Sequence, residues 1–468
     1  MSATTAMLDL RLPAAPSFTI VRADGDARLL RAYAVLRRRA FVHEQQLFDR
    51  SDTDEADSAA LTRVLVAVDD DRQVIGGVRL HPMGEDASLG WWQGSRLVCS
   101  GAGTPARGLV GARLVREACA QALDAGALRF DAHVQLRYAR FFARIGWTDV
   151  APVTVAGAAH RLMRWPMTRL QALVEGTKLP LGALLAGALQ TPSAWRGDDG
   201  VPVPGSTVVA AIDAILPAMV RDDPEWAGWC GMLVSAHDLS AMGAAPVGAL
   251  DTLAAPDAAH AARILDGLRR GAEVFALPLL GGHTQLGVAP ALSVTGLGHA
   301  EHPVPAGGGR AGDELTVTAD LEGGWRAPYG HRQWDSSSHR TRDELATMLD
   351  AVRVARPRAA KDVSMAGIAG TAGMLAEASG CGAVLDVAAI PRPTGVHAAD
   401  WLQCFPGFAM VTADDRAAPR LPAGAAVGAA CGQLTTTPGV RLRWPDGVLT
   451  TVLTGPVTGL GACTPETP

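Results

Sequence analysis

The sequence predicts an α/β and α+β protein built of two unlike modules, and three observations predict it. The chain has 468 residues, room for roughly two to four domains of ordinary size. Apolar residues make up 48% and charged residues 19%, enough apolar side chain to bury large cores. Strand-like alternation and helix-like spacing succeed one another through residues 1–168 and again from 196, with a Gly/Ala/Leu-rich, then turn-rich stretch at 169–195 that reads as a leading helix and linker.

In the first part, 18–23 (FTIVRA) reads as a strand and 26–45 as a helix with apolar spacings of three and four. The acidic run 49–58 (DRSDTDEADS) reads as a solvated loop, lacking the glycine and terminal glutamate of an EF-hand. Residues 61–69 and 73–83 form a hairpin signal around a turn. A strand at 95–100, a Gly-rich turn, a helix at 111–127, a strand at 128–134 and a short helix ending in FFARIGW (141–147) follow. The second part falls into blocks 196–306 and 307–458, divided by the turn-rich HPVPAGGGRAGDE. The polar, aromatic segment 323–342 is long for a loop, and such loops are functional or disordered. The tail from 459 is expected to fray.

Composition excludes several functions. The net charge is -5 with no block of five like charges, so no nucleic-acid footprint is present. No apolar run reaches 18 residues and the first residues lack a basic, then apolar leader, so neither a signal peptide nor a membrane span is expected. Seven dispersed cysteines fit reduced thiols in a cytoplasmic protein. Of 42 basic residues only Lys178 and Lys361 are lysines. Neither sits in a Walker A or protein-kinase setting, and a Schiff-base enzyme has only these two to choose from.

RRRAFVHEQ at 37–45 with DTDE at 52–55, and QLRYARFFARIGW at 135–147, resemble the first and last segments of the GNAT acyltransferase superfamily. The resemblance implies a mixed sheet flanked by helices that binds acetyl-CoA or another acyl-CoA and acylates an amine. Val98 closes a strand, and Arg107, Gly108, Val110, Gly111 and Ala112 open a helix whose unpaired N–H groups would face the pyrophosphate. Ala106 and Leu109 stand where the family pattern has Arg and Gly, and Phe142 where it often has a tyrosine acid. Tyr138 is the substitute acid, and Glu44 is either the general base or a solvated, salt-bridged helix residue. A rival dinucleotide fingerprint, GAGTPA at 101–106 with Asp131, leaves the flanking segments without a role.

In the second part, GDDG at 197–200, a strand ending at Asp213, HDLSAMGAAP at 237–246, LLGGHT at 279–284 and KDVSMAG at 361–367 occur in an order that resembles the aminoimidazole ribonucleotide (AIR) synthetase superfamily, which includes thiamine-monophosphate kinase and selenophosphate synthetase. Asp198, Asp199, Asp213 and Asp238, read at strand ends or turn starts, are Mg²⁺ ligand candidates, because hard cations take carboxylate and phosphate oxygens. Gly281, Gly282, His283 and Thr284 offer close backbone approach and a hydroxyl to ATP phosphates, or form a tight turn after a buried strand. Lys361 is a compact charge for a phosphate, or drift. Asp362 is a metal ligand, a cap of the SMAGIAGTAGMLAEASG helix, or both. His331, Asp335 and His339 in the long polar segment are substrate-contact candidates or solvated, and Cys230 reads as a buried apolar residue. The reactive cysteine and lysine of selenophosphate synthetases have no counterpart in AGALQTPSAW.

The resemblances together imply a bifunctional, homodimeric small-molecule enzyme: a GNAT-like domain (1–168) fused to an ATP- and Mg²⁺-dependent, two-lobed module. The arrangement is similar to nitrogen-starvation-associated proteins in which both modules recur. The alternatives are a thiamine-monophosphate-type kinase and a non-catalytic acyl-CoA or nucleotide sensor.

Overall fold

A computed structural model describes residues 17–100, 105–189, 193–418 and 424–463. The chain divides into two compact units, Met1–Met167 and Thr168–Pro468. Among the described residues no helix is long and apolar enough to cross a membrane.

Unit 1 is built on seven strands, β1 (Phe18–Arg22), β2 (Arg63–Asp69), β3 (Val74–Pro82), β4 (Trp91–Cys99), β5 (Arg129–Gln135), β6 (Thr148–Val155) and β7 (Ala158–Trp165), in the order β1-β2-β3-β4-β5-β7-β6. Every neighbouring pair is antiparallel except β4 and β5. These two run parallel, and their ladder covers only Trp91–Gly94 against Arg129–Ala132. Beyond it the strands part: β4 stays paired with β3 alone and β5 with β7 alone. Helix α1 (Ala27–Arg38), capped by Asp26, runs into a π-helical turn at Arg39–Glu44. Helix α2 (Pro105–Asp124) buries Val110, Leu114, Ala118 and Ala122 at helical spacing, and α3 (Ala139–Arg144) is short. Gly77 has no alternative, since a Cβ there would lie 2.6 Å from the ring of Tyr33.

The acidic run is not the solvated loop its composition suggests. Arg37 continues the buried stripe of Leu29 and Tyr33 on α1 and donates to Asp52 (2.6 Å) and Asp57 (3.0 Å). Arg79 of β3 and Arg96 of β4 each reach Asp54 at 2.8 Å. Three buried or half-buried guanidiniums demand three carboxylates, because an unpaired buried charge costs several kcal/mol. Burial works to raise the Asp57 pKa, but the hydrogen bonds from Arg37 and the Asp54 N–H hold it well below the usual carboxylate range.

Unit 2 opens with α4 (Arg169–Thr177) and α5 (Leu181–Leu185). A five-stranded sheet follows, of β8 (Val201–Pro202), β9 (Val208–Ala214), β10 (Ala245–Ala255), β11 (Leu279–Leu286) and β12 (Ala291–His299), in the order β11-β10-β12-β9-β8. Between β9 and β10 lie α6 (Pro217–Asp222) and α7 (Pro224–Ala241), and α8 (Ala258–Val274) makes the crossover to the parallel edge strand β11. Helices α7 and α8 touch backbone to backbone: a Cβ on Gly228 would lie 2.2 Å from the Ile264 carbonyl oxygen.

The second sheet of this unit joins β13 (Glu314–Ala319) with later strands, after the hairpin of β14 (Gly324–Trp325) and β15 (Gln333–Asp335) and helices α9 (Arg342–Leu349) and α10 (Ala351–Ala355). Its strands are β16 (Ala359–Asp362), β17 (Gly382–Asp386), β19 (Ala409–Asp414), β20 (Val427–Thr435), β21 (Val440–Arg443) and β22 (Leu449–Leu453), with α11 (Gly367–Ala378), α12 (Ala398–Trp401) and β18 (Phe405–Pro406) between them. The order is β16-β19-β13-β20-β17-β21-β22. One core joins α7 to Val209 and Val294 of the first sheet and to Ala360, Phe408 and Met410 beside and within the second. Helix α7 is therefore almost wholly buried, with apolar residues on every side and the polar Ser235, His237, Asp238 and Ser240 towards its end.

One expectation fails here. The tail does not fray up to residue 463: Glu377 accepts the N–H groups of Val457, Thr458 and Gly461, and Cys463 N–H donates to the Ala378 carbonyl at 2.8 Å, while 464–468 lie outside the described residues. The polar segment folds into the β14–β15 hairpin, where His331 stacks on Trp325 and meets Asp400 at 3.0 Å. Asp335 instead takes the hydroxyl of Ser338, and His339 is exposed, so the three do not form a group.

Candidate functional site

Four separate segments of unit 2 bring acidic side chains to one place. The bend at 197–200 presents Asp199, the end of β9 presents Asp213, the penultimate turn of α7 presents Asp238, and β16 presents Lys361 and Asp362 side by side. The carboxylate oxygens of Asp199, Asp238 and Asp362 lie within 4.8 Å of one another. Lys361 Nζ donates to an Asp199 oxygen and to the Gly197 carbonyl (3.0 Å), and the Asp362 N–H donates to the other Asp199 oxygen (3.0 Å). Asp238 shares a hydrogen bond with Asp213.

The electrostatics follow from burial. Asp238 and Asp362 are pushed well up by loss of solvent and then by each other's neighbouring carboxylates. Burial also raises Asp213, while its hydrogen bond with Asp238 works to lower it. Asp198 is pushed up to about 7 by burial; one of its oxygens takes the Ala306 N–H, and the other is buried without a partner. Burial disfavours the Lys361 ammonium, but Asp199 and Asp198 outweigh it and hold its pKa at about 12.

Of the residues singled out in the sequence, Asp199, Asp213, Asp238, Lys361 and Asp362 converge, with Asp198 beside them. Two local readings change. Asp238 lies inside a helix, not at a strand end or turn start. Asp362 lies in β16 and caps nothing: α11 begins at Gly367 after Ala366, which leaves the side chain available to a ligand. The residue overlooked is Lys178, at the end of α4, whose charge is felt by Asp213 and Asp362. Its only signal was its rarity, since both lysines of the chain act on this acidic group. Gly281, Gly282, His283 and Thr284 are neither a turn nor buried; they stand exposed along the edge strand β11. A Cβ on Gly282 would lie 2.1 Å from an Asp251 oxygen, which fixes glycine there.

Unit 1 carries a separate cavity of about 700 Å³ where β4 and β5 part. Val98, Gly108, Gly111 and Tyr138 line it. Val110 is buried in the core and Ala112 is half-buried on the same helix. The side chain of Arg107 and residues 101–104 of the rival fingerprint lie outside the described residues. Glu44 does not line the cavity; it is exposed and paired with Arg39 at 2.9 Å, the salt-bridged alternative. Phe142 is buried edge-on to Trp147. His133, bonded to Gln93 at 3.2 Å, and the Gln135–Gln45 pair (2.8 Å) also line the cavity; Gln45 ends and Gln135 opens the two GNAT-like segments, whereas no motif marked His133. Partial desolvation in the cavity wall lowers the His133 pKa.

Two sheets enclosing a buried helix, with carboxylates and a lysine converging between them, define the class of unit 2. Two family models then match it: AIR synthase related protein, N-terminal domain, over residues 197–300, and AIR synthase related protein, C-terminal domain, over 310–436. An uncharacterized protein of Synechocystis sp., sll0787, is 34% identical over 221 residues, which are 45% of this chain and 68% of that protein. The chain belongs to the AIR synthase related family. A selenide, water dikinase of Myxococcus xanthus is 29% identical over 36% of this chain and 47% of its own length. A thiamine-monophosphate kinase of Rhodopirellula baltica is 32% identical over 28% of this chain and 43% of its own. Among solved structures, T. maritima PurL complexed with ADP has a TM-score of 0.50 at 13% identity, covering 64% of this chain and 53% of that one, a likeness of fold.

Proposed function

We propose that unit 2 is an ATP- and Mg²⁺-dependent enzyme that activates an oxygen of a small metabolite by phosphoryl transfer. The observation that carries this is the convergence of Asp199, Asp238 and Asp362 within 4.8 Å beside Lys361. Negative charge in excess of the two lysines, held out of water, fits a site built for a divalent cation, and the raised carboxyl pKa values are the other face of that excess. Asp199, Asp213, Asp238 and Asp362 would hold Mg²⁺, with Asp198 beside them, and the ion would neutralise charge developing on the transferred phosphoryl group. Lys361, fixed by Asp199, is a pre-positioned ammonium for a phosphate oxygen. Gly281–Thr284 expose backbone and hydroxyl to the nucleotide phosphates. The two relatives named as kinases support this reading. Incubating the full chain with γ-labelled ATP, Mg²⁺ and a metabolite pool tests it. Label on a small molecule identifies a kinase of the thiamine-monophosphate type, free phosphate with a ring-closed or amidated product identifies a synthetase, and no ATP consumption contradicts both.

The open face of the first sheet supports a homodimer. Ile212 and Leu250 are exposed on that face, with Leu280 exposed on the edge strand β11, apolar side chains of the kind that pair with a second copy.

For unit 1 the reading is an acyl-CoA-dependent N-acyltransferase, supported by the parted strands and their cavity. An extended thioester with amide groups fits unpaired strand edges, and the start of α2 favours its phosphates. In this reading Tyr138, which lines the cavity, is the proton donor, and His133, which also lines it, takes the base role expected of Glu44.

A further inference from the structure

We infer that the cavity of unit 1 takes the chain of a medium- or long-chain acyl thioester in preference to an acetyl group. This rests on the acyl-CoA reading above and assigns its donor class. The cavity measures about 700 Å³, within the range of sites that enclose whole ligands.

Part of its wall is apolar core. Val78, Val115, Ala118, Phe130 and Trp147 line it, and each is a core residue no more than 4% exposed. The cavity also runs along α2: Gly108 and Ala118 both line it, and ten residues of helix span about 15 Å. One end therefore meets the N-terminal turns of α2, where an anion is favoured, and the other enters apolar core. The register of β5 divides the lining in the same sense. Phe130 lies within the paired stretch, whereas His133 and Gln135 lie beyond the last rung shared with β4. A ligand with an anionic head, amide-bearing middle and apolar tail matches this sequence of environments.

The test is calorimetric titration of the full chain with coenzyme A, acetyl-CoA, octanoyl-CoA and free octanoate. Each methylene moved from water into the cavity is worth about a fourfold gain in affinity. Octanoyl-CoA is expected to bind at least about 100-fold tighter than acetyl-CoA on that basis. Ala118→Leu, which fills the core end, is expected to narrow the octanoyl-to-acetyl ratio, with far-ultraviolet circular dichroism confirming that the variant is folded. Equal affinity for acetyl-CoA and octanoyl-CoA, with coenzyme A bound, would overturn the donor class and leave the acyl-CoA reading standing. Octanoate binding as tightly as octanoyl-CoA would overturn the thioester assignment in favour of a fatty-acid site. Failure of coenzyme A and every thioester to bind would sink the acyl-CoA reading itself, and this inference with it.

Discussion

The ammonium of Lys361 is fixed by the carboxylate of Asp199, 162 residues earlier in the chain, and the same carboxylate takes the backbone N–H of Asp362. A single bend of the chain thus positions both the cation and one acidic ligand on β16. Removing the ammonium leaves Asp199 buried without its counter-charge. Lys361→Met should lower stability by about 3–5 kcal/mol, measured by urea denaturation, and abolish ATP turnover. Lys361→Arg should fold better than the Met variant yet stay impaired in turnover, because a planar fork does not replace a compact ammonium.

The raised carboxyl pKa values set a pH dependence. With Asp198 pushed up to about 7 and Asp213 also raised by burial, the folded protein holds protons that the unfolded chain has already released. Stability of the metal-free protein should therefore fall as pH rises from about 4 through about 7, and stay low above it. A divalent cation takes the place of those protons, so Mg²⁺ should raise Tm more at pH 8 than at pH 5. A Tm increment independent of pH would count against metal binding at these carboxylates.

Lys178 reaches the same acidic group from α4, a helix that precedes the whole first sheet of the unit. Lys178→Gln should lower kcat for ATP consumption by about tenfold, roughly 1.4 kcal/mol of transition-state stabilisation, with little change in urea midpoint. Steady-state kinetics beside a denaturation curve separates that result from simple destabilisation.

Ile212 is 68% exposed on the open face of the first sheet. Ile212→Asp should convert a dimer to a monomer in light scattering while leaving the circular dichroism spectrum unchanged. A wild-type monomer at micromolar concentration would contradict the dimer.

The sequence displayed the residues of the acidic site better than their local structure. Asp199, Asp213, Asp238, Lys361 and Asp362 stand out as charges in an apolar, lysine-poor chain. The helix that carries Asp238 was illegible because α7 is buried on all sides, so its apolar residues show no period. Asp362 sits before a helix in sequence, which mimics a cap, but four residues of bend intervene before Gly367. The hairpin of β2 and β3 was legible because alternation and a turn coincide there. The ion pairs of Asp52, Asp54 and Asp57 were not, since their partners Arg37, Arg79 and Arg96 come from three elements joined only by the fold. The cavity was hidden for the same reason: parting of β4 and β5 is a property of their register, not of any motif.

The most direct measurement is calorimetric titration of ATP into the full chain with and without Mg²⁺, repeated on Asp238→Asn. The account predicts binding that requires Mg²⁺ and weakens at least about tenfold in the variant, roughly 1.4 kcal/mol. Binding indifferent to Mg²⁺ and to the substitution, or no binding by the folded protein, would contradict it.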